Sequence, residues 1–275
     1  MPVIATNTAA NSSLRYLNVN SDAESSITSK LASGSRITKA SDDASGLAIG
    51  TRIQSDVTVL EQASTNASQA TAILQTADGG LARISDILQR MKALATQSNS
   101  GSVTNDERTY IQSEYAELME EIDGIASSTR YNGESLLNGT SDYFSGVDFM
   151  VGTSISDTIS VQIDDVDTTA LSINSTTVSD QDEAEAAVTA LDAAISSISA
   201  ARAEVGASMS RFDFRSQTID TSIENLSAAE SAVMDADVAS EKSKLASADV
   251  LAQAAIAALT QANAMPQNLL SLLKS

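Results

Sequence analysis

The residues that most often carry chemistry in proteins are absent from this chain of 275 residues, which has no His, no Cys and no Trp. Their absence excludes a Ser-His-Asp triad, a cysteine nucleophile and an ordinary zinc site. We also find no GxxxxGK[ST] phosphate loop and no strand-linked GxGxxG. The acidic run "DDVD" at 164–167 lacks the spacing and the glycine of a calcium loop. The sequence therefore predicts neither an enzyme nor a protein that binds a metal or cofactor.

One charged stretch interrupts the long Ala- and Ser-rich tracts near the N-terminus, "LASGSRITKASDDASGLAIGTRIQ" at 31–54. Its glycines allow sharp backbone turns. The stretch closely resembles the N-terminal signature of bacterial flagellin, and this resemblance implies a connecting loop within 34–50, with Gly34, Arg36, Asp42, Asp43 and Gly46 among its residues. We expect its charged side chains, with Lys39, to contact either the second charged break, "DADVASEK" at 235–242, or another copy of the chain.

The elements that must position this loop are long helices. The chain is 42% hydrophobic but only 3% aromatic, with 2 Pro, which favours helices around a thin core. Apolar residues recur in steps of three and four from Ile53 to Ala95, a heptad seam roughly 65 Å long. A second seam runs from Val188 to Val233. The predicted fold class is mainly α, a long antiparallel coiled-coil helical bundle with a short central β-hairpin region.

Several local signals predict the shorter elements and the helix ends. Thr104 with Glu107 forms a capping-box pattern, and Asn-Gly pairs at 132–133 and 138–139 are turn signals. Alternation over 147–163 predicts a β-hairpin, followed by an irregular segment at 164–182. Gly79-Gly80 are expected to weaken the first long helix, and Pro266 to kink or end the last one.

Charge is distributed unevenly along the chain. The net charge is −20, yet residues 1–45 are neutral and 238–275 carry +1, so 46–237 hold about −21. We expect near-neutral ends that pack against other copies and an acidic centre that faces water. The charge opposes binding to nucleic acid or anionic membranes. No unbroken apolar run of 18 residues is present, and the N-terminus lacks the features of a cleaved signal peptide.

The terminal segments are poorly suited to fold alone. Their seams are rich in alanine, which buries too little area to offset the conformational entropy lost on ordering. We expect them to be disordered in the free monomer and to fold on association.

Several separated motifs resemble bacterial flagellin. The family's N-terminal signature is close to "LSSGxRINxAxDDAAGLAI", and the matching residues are Leu31, Ser33, Gly34, Arg36, Ile37, Asp42, Asp43, Ala44, Gly46, Leu47, Ala48 and Ile49. "VIATN", "TRYNGESLL" and "LTQANAMPQNLLSLL" are similar to further family motifs, in the family's order. Together they cover about residues 1–140 and 185–275.

The resemblance implies a subunit that self-assembles into the flagellar filament. It divides the chain into an N-terminal inner-core helix and connecting loop (1–45), N-terminal shell helices (46–140), a short acidic hairpin region (141–184), a C-terminal shell helix (185–235) and a C-terminal inner-core helix (236–275). The residues expected to form the self-assembly core are Leu14, Leu17, Ile27, Leu31, Leu251, Leu259, Leu269 and Leu272.

The resemblance also implies partners and a location. Besides other copies of the chain, these are the flagellar export apparatus with its chaperone, the filament cap and the hook-associated proteins. The expected location is the extracellular filament, reached without a cleaved signal peptide.

"LQRMKALATQ" at 88–97 resembles a stretch that a Toll-like innate immune receptor reads in some flagellins, where it also makes subunit contacts. Gln89, Arg90 and Leu94 match it, and Glu114 matches a second contact position. Ala93 and Thr96 depart from the family pattern, so subunit packing is the favoured role.

Two other kinds of protein share part of the pattern. A hook–filament junction protein has similar ends, but the "DDASGLAI" and "PQNLLSLL" matches favour flagellin. A cytoplasmic signalling coiled coil has a similar composition, but would need sensor or transmembrane segments and a single hairpin tip.

Overall fold

The structure, a computed structural model, describes the backbone of residues 6–274 and the side chains of residues 6–266. Over that range the chain is mainly α-helical with two small antiparallel sheets, which confirms the predicted fold class. The helices are α1 (Thr8–Ser33), α2 (Ala44–Ser98), α3 (Asn105–Ser128), α4 (Asp142–Ser145), α5 (Gln181–Met234) and α6 (Val238–Lys274). The strands are β1 (Arg130–Tyr131), β2 (Glu134–Ser135), β3 (Val147–Met150) and β4 (Thr158–Val161).

The chain divides into two compact units. The central unit is Asp56–Glu224, and the terminal unit is Met1–Ser55 with Asn225–Ser275. This division is coarser than the five segments expected from the sequence, whose boundaries remain a prediction.

The predicted heptad seam forms the core of the central unit. From Leu60 onward its residues on α2 are buried: Leu60, Ala63, Ala67, Ala70, Leu74, Ala77, Leu81, Ile84, Leu88, Met91 and Ala95. The second seam supplies buried residues of α5, namely Leu191, Ile198, Val205, Phe212 and Ile219. Two ion pairs show that these helices run antiparallel. Arg202 Nε lies 2.8 Å from Asp78 Oδ1, and Lys92 pairs with Asp192.

The segment between β4 and α5 has no regular secondary structure, as predicted, but it packs against α3. Thr168 donates hydrogen bonds from its backbone N–H and its hydroxyl to the two carboxylate oxygens of Asp123, each at 2.9 Å. Tyr115 is buried and hydrogen-bonds to Thr176 at 2.7 Å, and burial raises the pKa of its hydroxyl. The apolar residues of the segment are core residues, among them Val166, Leu171, Ile173 and Val178. The centre was expected to face water. Many of its charged side chains do so, whereas these apolar side chains are buried.

The predicted hairpin forms, and the predicted Asn132-Gly133 turn joins the strands of a second, shorter one. β1 pairs with β2 through a turn in which Asn132 and Gly133 have φ of 51° and 91°, the left-handed values that favour an Asn-Gly pair. β3 pairs with β4 with Phe149 opposite Ile159. The ring of Phe149 meets that of Phe212 on α5 edge to face, with centroids 5.9 Å apart. Asn66 on α2 donates a hydrogen bond to the carbonyl of Met150 at 3.1 Å, so the hairpin is attached to the bundle.

α1 and α6 pair antiparallel in the terminal unit. Near one end Asn7 Nδ2 donates to the carbonyl of Ala262 at 2.8 Å, and near the other Ser35 forms a β-bridge with Asp235. α6 continues past Pro266 to Lys274. Of the two predicted effects of this proline, ending the helix is wrong, and a kink stays a prediction. Pro266 cannot donate to the carbonyl four residues before it. That carbonyl belongs to Ala262 and receives the bond from Asn7 instead.

Candidate self-assembly site

The terminal helices bury little within the chain. α1 has no buried residue. The buried hydrophobic residues among the described side chains of α6 are alanines: Ala248, Ala252, Ala255 and Ala262. Leucine, isoleucine and valine side chains stabilise a fold by about 1.5–3 kcal/mol when fully buried, and alanine by much less. The contact between α1 and α6 therefore buries few large apolar side chains completely and leaves several of them exposed.

The predicted assembly residues lie at or beside this uncovered surface. Leu14 and Leu251 are exposed, by 46% and 55%. Leu17, Ile27, Leu31 and Leu259 are half-buried. The side chains of Leu269 and Leu272 lie outside the described residues. The role of all these residues in assembly remains a prediction.

Other exposed apolar side chains on the same helices were not anticipated. They are Tyr16, Val19, Val238, Val250, Ile256 and Met265. An apolar residue on the outer face of a helix is a signal of a contact outside the chain, and this signal was present in the sequence.

The loop between α1 and α2 contacts the break between α5 and α6 through backbone hydrogen bonds rather than through charged side chains. The N–H of Arg36 donates to the carbonyl of Met234 at 2.6 Å, and the N–H of Ala236 donates to the carbonyl of Gly34 at 2.9 Å. The hydroxyl of Ser35 also donates to Met234 O at 3.1 Å. The loop thus meets the second break at 234–236.

The acidic residues of the loop hold its own turns. Asp42 Oδ2 accepts from the N–H and hydroxyl of Thr38 and from the N–H of Lys39, at 3.1–3.2 Å. The hydrogen bond from the Thr38 N–H is the main cause that lowers the pKa of Asp42. Asp43 accepts from the N–H of Gly46 at 2.8 Å, at the start of α2.

The glycines of the loop have separate structural roles. Gly34 ends α1 with φ 71°, in the left-handed region. A Cβ on Gly46 would lie 2.7 Å from Ile37 Cδ1, and Ile37 is the buried residue of the loop.

The side chains of Arg36 and Lys39 are exposed and form no ion pair among the described residues. Their contact with another copy stays a prediction.

The stretch at 88–97, which resembles a segment that an innate immune receptor reads, has both exposed and buried residues. Arg90 donates to Glu114 Oε1 from Nε at 2.9 Å and from Nη2 at 2.6 Å, and Gln89 is exposed. Leu94 is only 2% exposed, because it belongs to the buried face of α2. A partner can reach Gln89, Arg90 and Glu114 in the folded chain, but not Leu94.

No group of three or more His, Cys, Asp or Glu side chains suited to a metal ion occurs within the described part of the chain. One helix, Val238–Pro266, is long and apolar enough to cross a membrane, with a mean hydropathy of 1.2 over its best window. This helix was not detected from the sequence, because only unbroken apolar runs were considered there. A single helix of this kind is weak support for a membrane span, since core helices of soluble proteins have the same composition.

A chain of long helices whose terminal pair leaves its larger apolar side chains uncovered has the features of a self-assembling helical subunit. Residues 4–142 match the family model described as the bacterial flagellin N-terminal helical region, and residues 188–273 match the bacterial flagellin C-terminal helical region. The chain belongs to the bacterial flagellin family.

Individual relatives agree with this assignment. The chain is 34% identical over 274 residues to a flagellin of Halalkalibacterium halodurans, covering 99% of this chain and 100% of that protein. It is similar to the crystal structure of Bacillus cereus flagellin, with a TM-score of 0.52 and 31% identity over 56% of this chain and 88% of the other. A putative flagellar hook-associated protein from Vibrio parahaemolyticus has a TM-score of 0.59 at 15% identity, over 70% of this chain and 100% of that one. That likeness shows the fold alone.

Proposed function

We infer that this chain is a structural subunit that self-assembles into the bacterial flagellar filament. The observation that carries the inference is the terminal helix pair, in which α1 has no buried residue and large apolar side chains of both helices face solvent. The match to flagellins along nearly the whole chain supports it.

The mechanism follows from the burial of the two units. The central unit has its own apolar core, whereas the terminal helices lack one. Surrounding copies cover the exposed side chains of α1 and α6, and the area buried there stabilises helices that gain little from each other. Contacts between different surfaces of successive copies do not close on themselves, so they generate an open helical polymer. The polymer transmits the torque of the motor as a propeller.

The partners and the location follow from membership of the family. The subunit passes through the flagellar export apparatus with a chaperone and without a cleaved signal peptide. It adds beneath the filament cap and meets hook-associated proteins at the base of the filament. Its location is outside the cell. Recognition by an innate immune receptor would use Gln89, Arg90 and Glu114.

The alternatives receive less support. The hook-associated structure shares the fold at 15% identity, whereas flagellin relatives match nearly the full length at 34%. This difference favours a filament subunit over a hook–filament junction protein. A signalling coiled coil does not account for the flagellin matches in both helical regions, and no arrangement of side chains in the described structure supports catalysis.

Leu251→Asp tests the proposal. Leu251 is exposed on α6, so the substitution leaves the core of the central unit intact and places a charge on the surface that other copies cover. We expect purified wild-type chains to form pelletable polymer when seeded and L251D chains to remain in the supernatant, with unchanged circular dichroism. Ser199→Asp on the exposed face of α5 adds the same charge away from the terminal helices and serves as the control. Equal polymerisation of L251D and wild type would contradict the proposed surface.

A further inference from the structure

A groove on the central unit carries two arginines and an exposed aromatic ring. Arg211, Phe214 and Arg215 of α5 line it on one side, and Thr158 and Ile159 of β4 on the other. The ring of Phe214 is 67% exposed. A large apolar side chain between two cations, on the surface of an acidic chain, is a surface suited to an acidic partner.

Neither arginine of the groove has an ion pair among the described residues. Arg211 and Arg215 are four residues apart on one face of α5, where like charges repel each other. The neighbours three and four residues away on α5, which include Ala207, Thr218 and Ile219, carry no acid. An opposite charge from outside α5 would relieve the repulsion.

α3 carries a matching pair of opposite sign. Glu117 and Glu121 are also four residues apart, are exposed, and have no ion pair in the part of the chain that the structure describes. Glu120 beside them is likewise exposed, whereas Glu114, one turn earlier, is held by Arg90. Two carboxylates and two guanidiniums at equal helical spacing can meet face to face when the two helices lie alongside each other.

The two pairs cannot meet within one chain. Phe212 lies beside Ala67 and Thr71 of α2, in a second groove that these residues line together. α3 runs along α2 from Arg90, which pairs with Glu114, towards Gly80, which lies against Thr129. Glu117 and Glu121 are therefore at the level of residues in the middle eighties of α2, roughly 20 Å from Thr71 at 1.5 Å per residue. Arginine and glutamate side chains do not span that distance.

We propose that the groove of Arg211, Phe214 and Arg215 docks the Glu117–Glu121 face of α3 from a second copy of the chain. This contact rests on the proposed function, because it is one of the contacts between subunits of the polymer. It joins two different surfaces, so a pair of subunits keeps one free groove and one free α3 face, and further copies extend an open helix. Phe214 is covered by the incoming helix.

Cross-linking tests whether the two surfaces meet. The chain has no cysteine, so Thr218→Cys in the groove and Glu120→Cys on α3 can be placed in separate chains, with the four proposed ion-pair partners intact. Copolymers of the two chains, treated with a short bis-maleimide, are expected to give a cross-linked dimer. Ser199→Cys, exposed elsewhere on α5, replaces Thr218→Cys in the control and is expected to give none.

Charge reversal tests the energetics. R211E/R215E and E117R/E121R are each expected to raise the critical concentration for seeded polymerisation by roughly fivefold or more, since exposed ion pairs contribute modestly and reversal adds repulsion. The chain with all four substitutions is expected to return to within about threefold of wild type. R83E/R130E changes the net charge by the same amount as R211E/R215E, at other exposed positions, and is the control for that variant.

The outcomes separate this contact from the proposed function. Two results would overturn the contact and leave the filament function standing. One is filaments without the T218C–E120C cross-link. The other is a chain with all four substitutions whose loss of polymerisation equals the sum of the losses in R211E/R215E and E117R/E121R. Failure of the unmodified chain to polymerise on seeds would count against the proposed function and against the contact with it.

Discussion

Arg108 is the residue that closes the turn between α2 and α3. It is 7% exposed, and its guanidinium donates to the carbonyls of Ser98 and Ser100 at 2.9 and 3.1 Å and to Asn105 Oδ1 at 2.9 Å. Three acceptors in fixed directions match the planar fork of arginine, which lysine does not reproduce.

Replacing Arg108 should destabilise the central unit. Arg108→Ala removes the donor to the buried carbonyl of Ser98, whereas the carbonyl of Ser100 keeps its hydrogen bond from the Val103 N–H. We expect the free energy of unfolding to fall by about 1–3 kcal/mol in urea titrations. Arg108→Lys should lower the free energy of unfolding less than Arg108→Ala does. It should lower it more than Arg83→Ala does, since Arg83 makes only an exposed pair with Asp86. Equal midpoints for R108A and R83A would show that the three hydrogen bonds contribute little.

Asp42 makes the connecting loop sensitive to acid. Its pKa is lowered, chiefly by the hydrogen bond from the Thr38 N–H. The ionised form therefore stabilises the loop above the pKa of an unfolded aspartate, about 3.9, and this contribution is lost as the pH falls through the lowered folded value. The NMR shift of the Thr38 amide should titrate with a midpoint below about 3.9, and Asp42→Asn should abolish that titration. A midpoint at or above that of a free aspartate would contradict this account.

Residue contacts were predictable from the sequence where they are local. The capping box of Thr104 and Glu107 forms as predicted, as does the Asn132-Gly133 turn, because each joins residues at most three apart. The bonds from Thr168 to Asp123 and from Asn7 to Ala262 join residues 45 and 255 positions apart. No pattern in a single sequence specifies such pairs, since they depend on how the helices pack.

At the scale of elements, Gly79 and Gly80 show what periodicity leaves out. The sequence predicts weakening at both positions, yet α2 continues through them without interruption. A Cβ on Gly80 would lie 2.6 Å from Thr129 Oγ1 and 2.7 Å from Leu137 Cδ1, whereas one on Gly79 would meet nothing within 4 Å. Gly80 is therefore the position where the segment after α3 packs closely on α2.

The two glycines make a matched pair of substitutions. Gly79→Ala should stabilise the chain by about 0.5–1 kcal/mol, because alanine is the better helix former and nothing obstructs its methyl group. Gly80→Ala gains the same propensity but must displace Thr129 and Leu137, so we expect a net loss of about 1–3 kcal/mol. Thermal unfolding followed by circular dichroism measures both. Stabilisation of G80A equal to that of G79A would show that the close approach is not required.

The elements themselves were predictable because heptad spacing extends over whole helices. The α2 seam, the α5 seam and the 147–150 hairpin strand lie where alternation and periodicity indicated. Two features could not be predicted from the periodicity of the sequence. The segment 164–180 buries Val166 and Ile173 without regular structure. α6 passes Pro266, and the carbonyl that the proline leaves free accepts a hydrogen bond from Asn7.

At the scale of the whole molecule, the chain combines one unit with its own apolar core and one with little. The central unit buries leucines and isoleucines of α2 and α5, while the terminal unit relies on alanines and leaves Leu14 and Leu251 exposed. This difference supports our proposal that the terminal helices gain their main stabilisation from other copies. Because the alanine-rich sequence of the terminal helices leaves apolar side chains exposed, the difference in burial favours assembly of the chain into a polymer.

Electron microscopy of seeded polymer tests this account most directly. Purified chains should grow from short seeds into uniform filaments, and a helical reconstruction should place α1 and α6 where neighbouring copies cover Leu14 and Leu251. The account would be contradicted by filaments in which α1 and α6 remain exposed to solvent while the central unit alone makes the subunit contacts.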